Sequence, residues 1–311
     1  MNLPHLHLIL NHVPTIGTAV AIGLLLLSLV RRNQQLTRVA FEVICVVALI
    51  TLPAYLTGVA TGMELEKLPD VSKAVITRHH DQALQAFLFM LVTGGAAWLG
   101  VWRFRRVGNL STTNIVVVLV LALLTIGGMM TTATLGGEVR HPEILAPGEI
   151  APTAPPAWLS AAMVQRFVLD HTWVWPSLET LHFIGLWLLF GIVVLVNLRM
   201  LGVMNGAPFS AFHRLLPWGL LGLGVNLVTG MFWVIATPEQ YMTNISFGLK
   251  MGALMLAGAD LLYLTTFDGP WSVKSGEQAP ALGKAFAVSA IALWIGVMYF
   301  GRMLPFLGNA F

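Results

Sequence analysis

The chain has 311 residues, of which 57% are hydrophobic and only 10% charged, and its mean hydropathy is +0.79. Since soluble domains carry about 25% charged residues, this composition excludes a soluble globular protein and is typical of an integral membrane protein. The net charge is only +3, and the one cysteine, Cys45, excludes an internal disulfide, a cysteine-based zinc or iron–sulfur site and the covalent attachment of c-type haem. The expected partner is the lipid bilayer, not nucleic acid.

Apolar stretches of about 20 residues predict membrane-spanning helices. The chain contains eight, at 8–30, 40–60, 82–102, 113–134, 179–198, 213–236, 245–266 and 284–304. The N-terminal sequence MNLPHLHLILNH has neither the basic region nor the cleavage site of a signal peptide, so we expect it to begin the first span. The predicted fold is therefore all-α, with two four-helix membrane bundles.

The two predicted bundles cover residues 1–136 and 172–311, and a connector covers 137–171. The connector contains PEILAPGEIAPTAPPAW, whose proline and alanine favour extended structure. It is either a linker between the bundles, a cap over the external site or a docking surface for a partner.

Lysine and arginine in the loops predict the direction of the spans. One set of mostly short loops holds ten of these residues and the other set holds six. Because short basic loops stay in the cytoplasm, both termini are expected to lie in the periplasm of a bacterium, with the protein in the inner membrane. This threading places eight of the nine histidines on the periplasmic side and only His213 on the other.

Histidines occur where the first and third predicted helices begin, near the same face of the membrane. Imidazole is a common haem ligand, and a polar side chain inside a span is usually functional. We therefore predict that His12 and one of His79 and His80 ligate a haem iron. The alternative for a histidine near a helix end is an interfacial residue that contacts headgroups or water, and we favour this interpretation for His5 and His7.

Haem propionates need basic partners at a membrane edge. Arg78 adjoins the histidine pair of the third helix, and Arg140 follows the fourth helix. Either arginine is a candidate propionate partner. His141 is a loop residue, a propionate donor or a proton carrier.

The second half carries its own group of polar residues near the periplasmic side. Glu179 and His182 lie three residues apart, on one helix face. The carboxylate can orient a ligating histidine, which would give a second haem, or form a proton-transfer pair for a quinol. Lys250 would suit a propionate or a quinone carbonyl, or it reaches the interface instead. These three residues are the predicted quinone site.

Two motif sets resemble families of uncharacterised bacterial membrane proteins. Residues 1–141 resemble small four-helix domains through His7, His12-Val13-Pro14, Thr57-Gly58, His79/His80 and Gly136-Gly137, with Val13 in place of an aromatic residue. Members of that family are suspected of binding haem and occur beside cytochromes, so the resemblance implies a b-type cytochrome-like protein. Residues 172–304 resemble a second family through Glu179-x-x-His182, Leu198-Arg199-Met200-Leu201-Gly202 and Asn244-x-x-Phe247-x-x-Lys250.

Three functions are compatible with these patterns. The first is a haem b subunit with one or two haems that passes electrons between membrane quinone and a periplasmic cytochrome c or dehydrogenase subunit, as part of an oxidoreductase complex. The second is a cofactor-free anchor subunit of a respiratory complex. The third is a copper-handling membrane protein, although the polar residues are concentrated at one face and do not follow a path across the bilayer.

Overall fold

The computed structural model describes residues 2–69, 71–141 and 157–307, and over these residues the protein is helical without β-strands. The helices are α1 (Leu3–Leu10), α2 (His12–Arg31), α3 (Gln34–Leu65), α4 (Lys73–Val107), α5 (Thr112–Arg140), α6 (Ala161–Asp170), α7 (Val174–Leu201), α8 (Leu216–Ala236), α9 (Pro238–Met242), α10 (Ile245–Thr266) and α11 (Ala281–Arg302). Short 3₁₀ helices cover Phe209–Leu215 and Gly269–Ser272.

Eight segments in the described part of the chain are long and apolar enough to cross a membrane. They are α1 with α2, α3, α4, α5, α7, the first 3₁₀ helix with α8, α10 and α11. Each coincides with a predicted span, and 245–266 has the predicted bounds. The all-α membrane fold predicted from apolar length is thus confirmed.

The chain divides into two compact units. Unit 1 comprises 1–100 and 107–167, and unit 2 comprises 101–106 and 168–311. Each unit holds four spans, as the two predicted bundles do. Residues 142–156, which include most of the proline-rich stretch, lie outside the described residues, whereas the rest of the predicted connector includes the end of α5 and the whole of α6.

The first span is broken near its beginning. Pro14 has no N–H, and its ring would collide with the carbonyl one turn earlier, so an unbroken helix through this point is disfavoured. Accordingly α1 ends at Leu10 and α2 begins at His12. The Asn11 N–H still bonds the His7 carbonyl at 2.8 Å, which keeps the two helices continuous as one span.

Unit 2 contains a close helix crossing between α7 and α8. A Cβ added at Gly222 would lie 2.7 Å from the Gly185 carbonyl oxygen, and one added at Gly185 would lie 2.6 Å from Asn226 Nδ2. Small residues allow such backbone approach between membrane helices. This crossing positions the first half of α7 against α8. The predicted site residue His182 lies in this half of α7.

Candidate functional site

Within each unit the spans alternate in direction. The beginnings of the first and third spans and the ends of the second and fourth spans therefore lie on the same side. We call this side the leading end of the unit, and the sequence predicts that it faces the periplasm. In unit 1 the leading end carries His7 on α1 and His79 and His80 on α4. In unit 2 it carries His182 on α7 and Lys250 on α10.

His7 faces the neighbouring helix α3. Its Nδ1 lies 3.0 Å from the Ala54 carbonyl oxygen and 3.3 Å from Thr57 Oγ1. Because a carbonyl oxygen only accepts, Nδ1 carries the proton and Nε2 keeps its lone pair. A Cβ added at Gly58 would lie 2.9 Å from His7 Cε1, so the absence of a side chain at Gly58 gives the ring its place.

His79 is held in the same manner by α5. Its Nδ1 donates to the Thr132 carbonyl oxygen at 3.0 Å. A Cβ added at Gly136 would lie 3.3 Å from His79 Cε1. As with His7, the contact to a backbone carbonyl leaves Nε2 as a potential metal ligand.

His80 completes a cluster of three histidines. Its ring bonds the backbone of Gly58 and packs so closely on Gly62 that a Cβ there would overlap the ring. The ring centroids of His79 and His80 are 6.3 Å apart, and His7 lies within electrostatic range of both. The three imidazoles, one on the first span and two on the third, thus lie at the same end of unit 1.

His12, the predicted ligand on the first span, is not part of this cluster. Its side chain is exposed, whereas the His7 ring is partly buried against α3. Residues five apart on a helix point about 140° apart, so the two histidines cannot face the same neighbour. The interpretation of His7 as an interfacial residue is also wrong, because its ring is bonded inside unit 1.

The predicted propionate partners lie around the same end. Arg78 is partly buried and close to Asp81, whose Oδ1 accepts from the Ala161 N–H at 2.8 Å and fixes the beginning of α6. Arg140 and His141 are exposed where α5 ends. Their role with a propionate stays a prediction.

The histidine cluster fits the chemistry of haem ligation. Bis-histidine iron needs two imidazoles with free Nε2 atoms, and such ligands usually donate Nδ1–H to a carbonyl or carboxylate. His7 and His79 both meet this requirement. Among the described residues, no group of three or more His, Cys, Asp or Glu side chains is arranged to hold a metal ion directly.

His182 in unit 2 is held by a hydroxyl on α8. Its Nδ1 lies 2.8 Å from Thr229 Oγ1, and that hydroxyl donates to the Val225 carbonyl at 2.7 Å, so it accepts from the ring. A Cβ added at Gly230 would lie 3.7 Å from His182 Cε1. The Trp233 ring is next to it, with centroids 5.0 Å apart.

The predicted pair of Glu179 and His182 is not formed. Glu179 is exposed, and Thr229 on the facing helix takes the ring nitrogen that a carboxylate would orient. Lys250 is partly buried, and its Nζ would lie 3.4 Å from a Cβ added at Gly301 of α11. Of the three residues predicted to form a quinone site, His182 and Lys250 are partly buried and Glu179 is not, and the site itself stays a prediction.

Tyr241 lies outside the spans, in α9 at the leading end of unit 2. Its ring packs edge-on against Phe247 with centroids 5.3 Å apart. Burial raises the pKa of the Tyr241 phenol to about 12. It is therefore a neutral hydroxyl at physiological pH.

Sequence reasoning missed the residues that hold the histidines. The Thr-Gly pairs 57–58 and 229–230 contributed only to the family resemblances, and Trp233 was not noticed. His213, the one histidine predicted on the other side of the membrane, is 7% exposed, and its ring lies edge-on to Trp271 with centroids 4.9 Å apart. The sequence did contain a signal for the Thr-Gly pairs, because each pair occurs near the end of the second span of its unit.

Comparison of the chain with family models, curated proteins and solved structures gave no match. The two family resemblances therefore stay predictions. What the protein does has to be argued from the residues at the leading ends.

Proposed function

We propose that the protein is a b-type haem-binding subunit of the bacterial inner membrane, which passes electrons between the quinone pool and a periplasmic redox partner. The observation that carries this proposal is the convergence of His7, His79 and His80 at the leading end of unit 1. A haem with histidine on both axial positions transfers single electrons and leaves no position at the iron for substrate.

His7 and His79 are the residues that would hold the haem iron. Each donates Nδ1–H to a backbone carbonyl, on α3 for His7 and on α5 for His79, and this fixes both the tautomer and the ring direction. His80 lies beside them and is the alternative ligand from the third span. Arg78 and Arg140 are the basic side chains nearest in sequence to this end that would neutralise propionates.

The location supports a partner on the periplasmic side. If the leading ends face the periplasm, a haem held there lies close to the surface at which a cytochrome c or a dehydrogenase subunit would dock. Quinone would come from within the bilayer. The chain itself would then be the electron-transferring part of an oxidoreductase complex.

A reduced-minus-oxidised visible spectrum with pyridine haemochrome quantitation tests the proposal. We expect about one haem b per wild-type chain, if iron has the single bis-histidine site of unit 1. His7→Ala should lose at least nine-tenths of this haem, whereas His12→Ala, five residues away and exposed, should keep it.

Two outcomes would contradict the proposal in different ways. A colourless wild-type protein, purified from cells supplied with a haem precursor, would favour the cofactor-free anchor. Loss of haem from His12→Ala but not from His7→Ala would mean that iron is bound at the surface of unit 1 and not in the histidine cluster.

A further inference from the structure

The two units repeat one arrangement at their leading ends. In each, a histidine near the beginning of the first span bonds the threonine of a Thr-Gly pair near the end of the second span. The Thr57 hydroxyl donates to the carbonyls of Pro53 and Ala54 at 2.7 and 3.1 Å. The Thr229 hydroxyl likewise donates to the carbonyls of Val225 and Asn226, at 2.7 and 3.3 Å.

The correspondence extends to the third and fourth spans. In unit 1 the third-span residue His79 lies against Gly136, near the end of the fourth span. In unit 2 the third-span residue Lys250 lies against Gly301, again near the end of the fourth span. Lys250 therefore occupies the place in unit 2 that a histidine occupies in unit 1.

This replacement changes the chemistry of the site. An ammonium group has three donors and no lone pair, so it cannot serve as the second axial ligand that His79 provides. Lys250 is partly buried, and its charge acts on His182. The buried Nε1–H of Trp233 has no acceptor among the described residues. Two donors near His182 are thus available for a ligand with acceptor oxygens.

The surrounding side chains indicate the shape of that ligand. The Trp233 ring centroid lies 5.0 Å from that of His182 and 5.9 Å from that of Trp175. Aromatic side chains of this kind favour a flat ring, and the position within the membrane spans favours a lipid-soluble molecule. A quinone headgroup has both properties and carries carbonyl oxygens for the donors.

We propose that the leading end of unit 2 binds a quinone headgroup, with Lys250 and Trp233 donating to a carbonyl oxygen and His182 beside the ring. The proposal rests on the proposed function for the fate of the electrons, but binding of the headgroup requires no haem. Unit 2 is accordingly a modified copy of the unit 1 site that takes a different ligand.

Equilibrium binding of ubiquinone-1 and of menaquinone-1 to the full chain in detergent tests the proposal. We expect saturable binding of at least one of them. Lys250→Met should weaken it at least ten-fold, because the charged donor is lost, and Trp233→Phe should weaken it about three-fold or more, because the ring stays but the N–H is lost. Lys274→Met, an exposed lysine in the loop after α10, is the matched control and should bind as the wild type does.

The proposal is overturned if neither quinone binds saturably, or if Lys250→Met binds as tightly as Lys274→Met. It is also overturned if the wild type holds two haems, because the donors of unit 2 would then serve haem carboxylates. A colourless protein that binds quinone with the expected variant pattern would reject the haem proposal and support this one.

Discussion

Every inward-facing histidine at the leading ends lies against a glycine of another helix. Without a side chain at that position, the imidazole reaches the backbone or a threonine hydroxyl of the facing helix, which sets its tautomer and direction. The glycine therefore decides where the free Nε2 points. The pairs are His7 with Gly58, His80 with Gly62, His79 with Gly136 and His182 with Gly230.

Replacement of Gly58 by alanine should displace the His7 ring. The new Cβ would lie 2.9 Å from Cε1, so we expect the ring to shift and its hydrogen bond to the Ala54 carbonyl to weaken. In a helix, alanine is favoured over glycine by about 0.5–1 kcal/mol, so loss of the fold is not expected. We expect Gly58→Ala to bind several-fold less haem with an unchanged or higher unfolding temperature. Gly127→Ala, with no atom within 4 Å of its Cβ, is the control. Equal haem content in the two variants would contradict the role of the glycine.

The positions of His7 and His12 show that a sequence does not determine which neighbouring helix a side chain faces. Apolar length gives the depth of a histidine in the bilayer, but not which neighbour it faces. The sequence predicts that only one of His79 and His80 faces the site, because neighbouring residues on a helix point about 100° apart. In the structure both lie against a helix, His79 against α5 and His80 against α3.

At the scale of elements, Arg199 holds the end of α7 to two connections. It is fully buried, and its Nε donates to the Ala207 carbonyl at 2.6 Å and its Nη2 to the Lys274 carbonyl at 3.0 Å. A Schellman-type end at Gly202, with φ +100°, turns the chain immediately afterwards. The sequence suggested only that Arg199 is a basic loop residue. Its burial depends on two connections, one before α8 and one after α10, whose packing against α7 the sequence does not show.

Arg199→Met should destabilise unit 2. The apolar replacement leaves the two carbonyls without their charged donor, which costs about 3 kcal/mol in total if water reaches neither. We expect a lower unfolding temperature in detergent, measured by circular dichroism at 222 nm. Arg214→Met, an exposed arginine in the connection before α8, should unfold like the wild type. Identical unfolding of both variants would mean that water replaces the Arg199 bonds.

At the scale of the whole molecule, the spans were predictable and the sites were only partly so. Bilayer thickness imposes about 20 apolar residues on each span, and this constraint is visible in any single sequence. The repeat between the units is different, because it consists of pairs such as His182 with Thr229, which are 47 residues apart. Such pairs become visible only when the helices are packed together.

The predicted orientation can be measured with single cysteines in a Cys45→Ala background. Native Cys45 is fully buried, so little background labelling is expected even before it is replaced. If the loop charges set the direction, a membrane-impermeant maleimide should label exposed His5→Cys in spheroplasts, and Ser275→Cys only after lysis. The reverse pattern would place the leading ends in the cytoplasm and move the proposed partner to that side.

If the units are two copies of one site, a single substitution should convert the second into a haem site. Lys250→His would give the third span of unit 2 the imidazole that His79 gives unit 1, against Gly301 and at the same end of the unit as His182. Because both axial ligands would then be present, we expect the haem content to rise from about one to about two per chain. The additional removal of His182, as His182→Ala, should return it to about one. A haem content that stays at one in folded Lys250→His protein would show that the two leading ends resemble each other in their contacts but differ in the space between the spans.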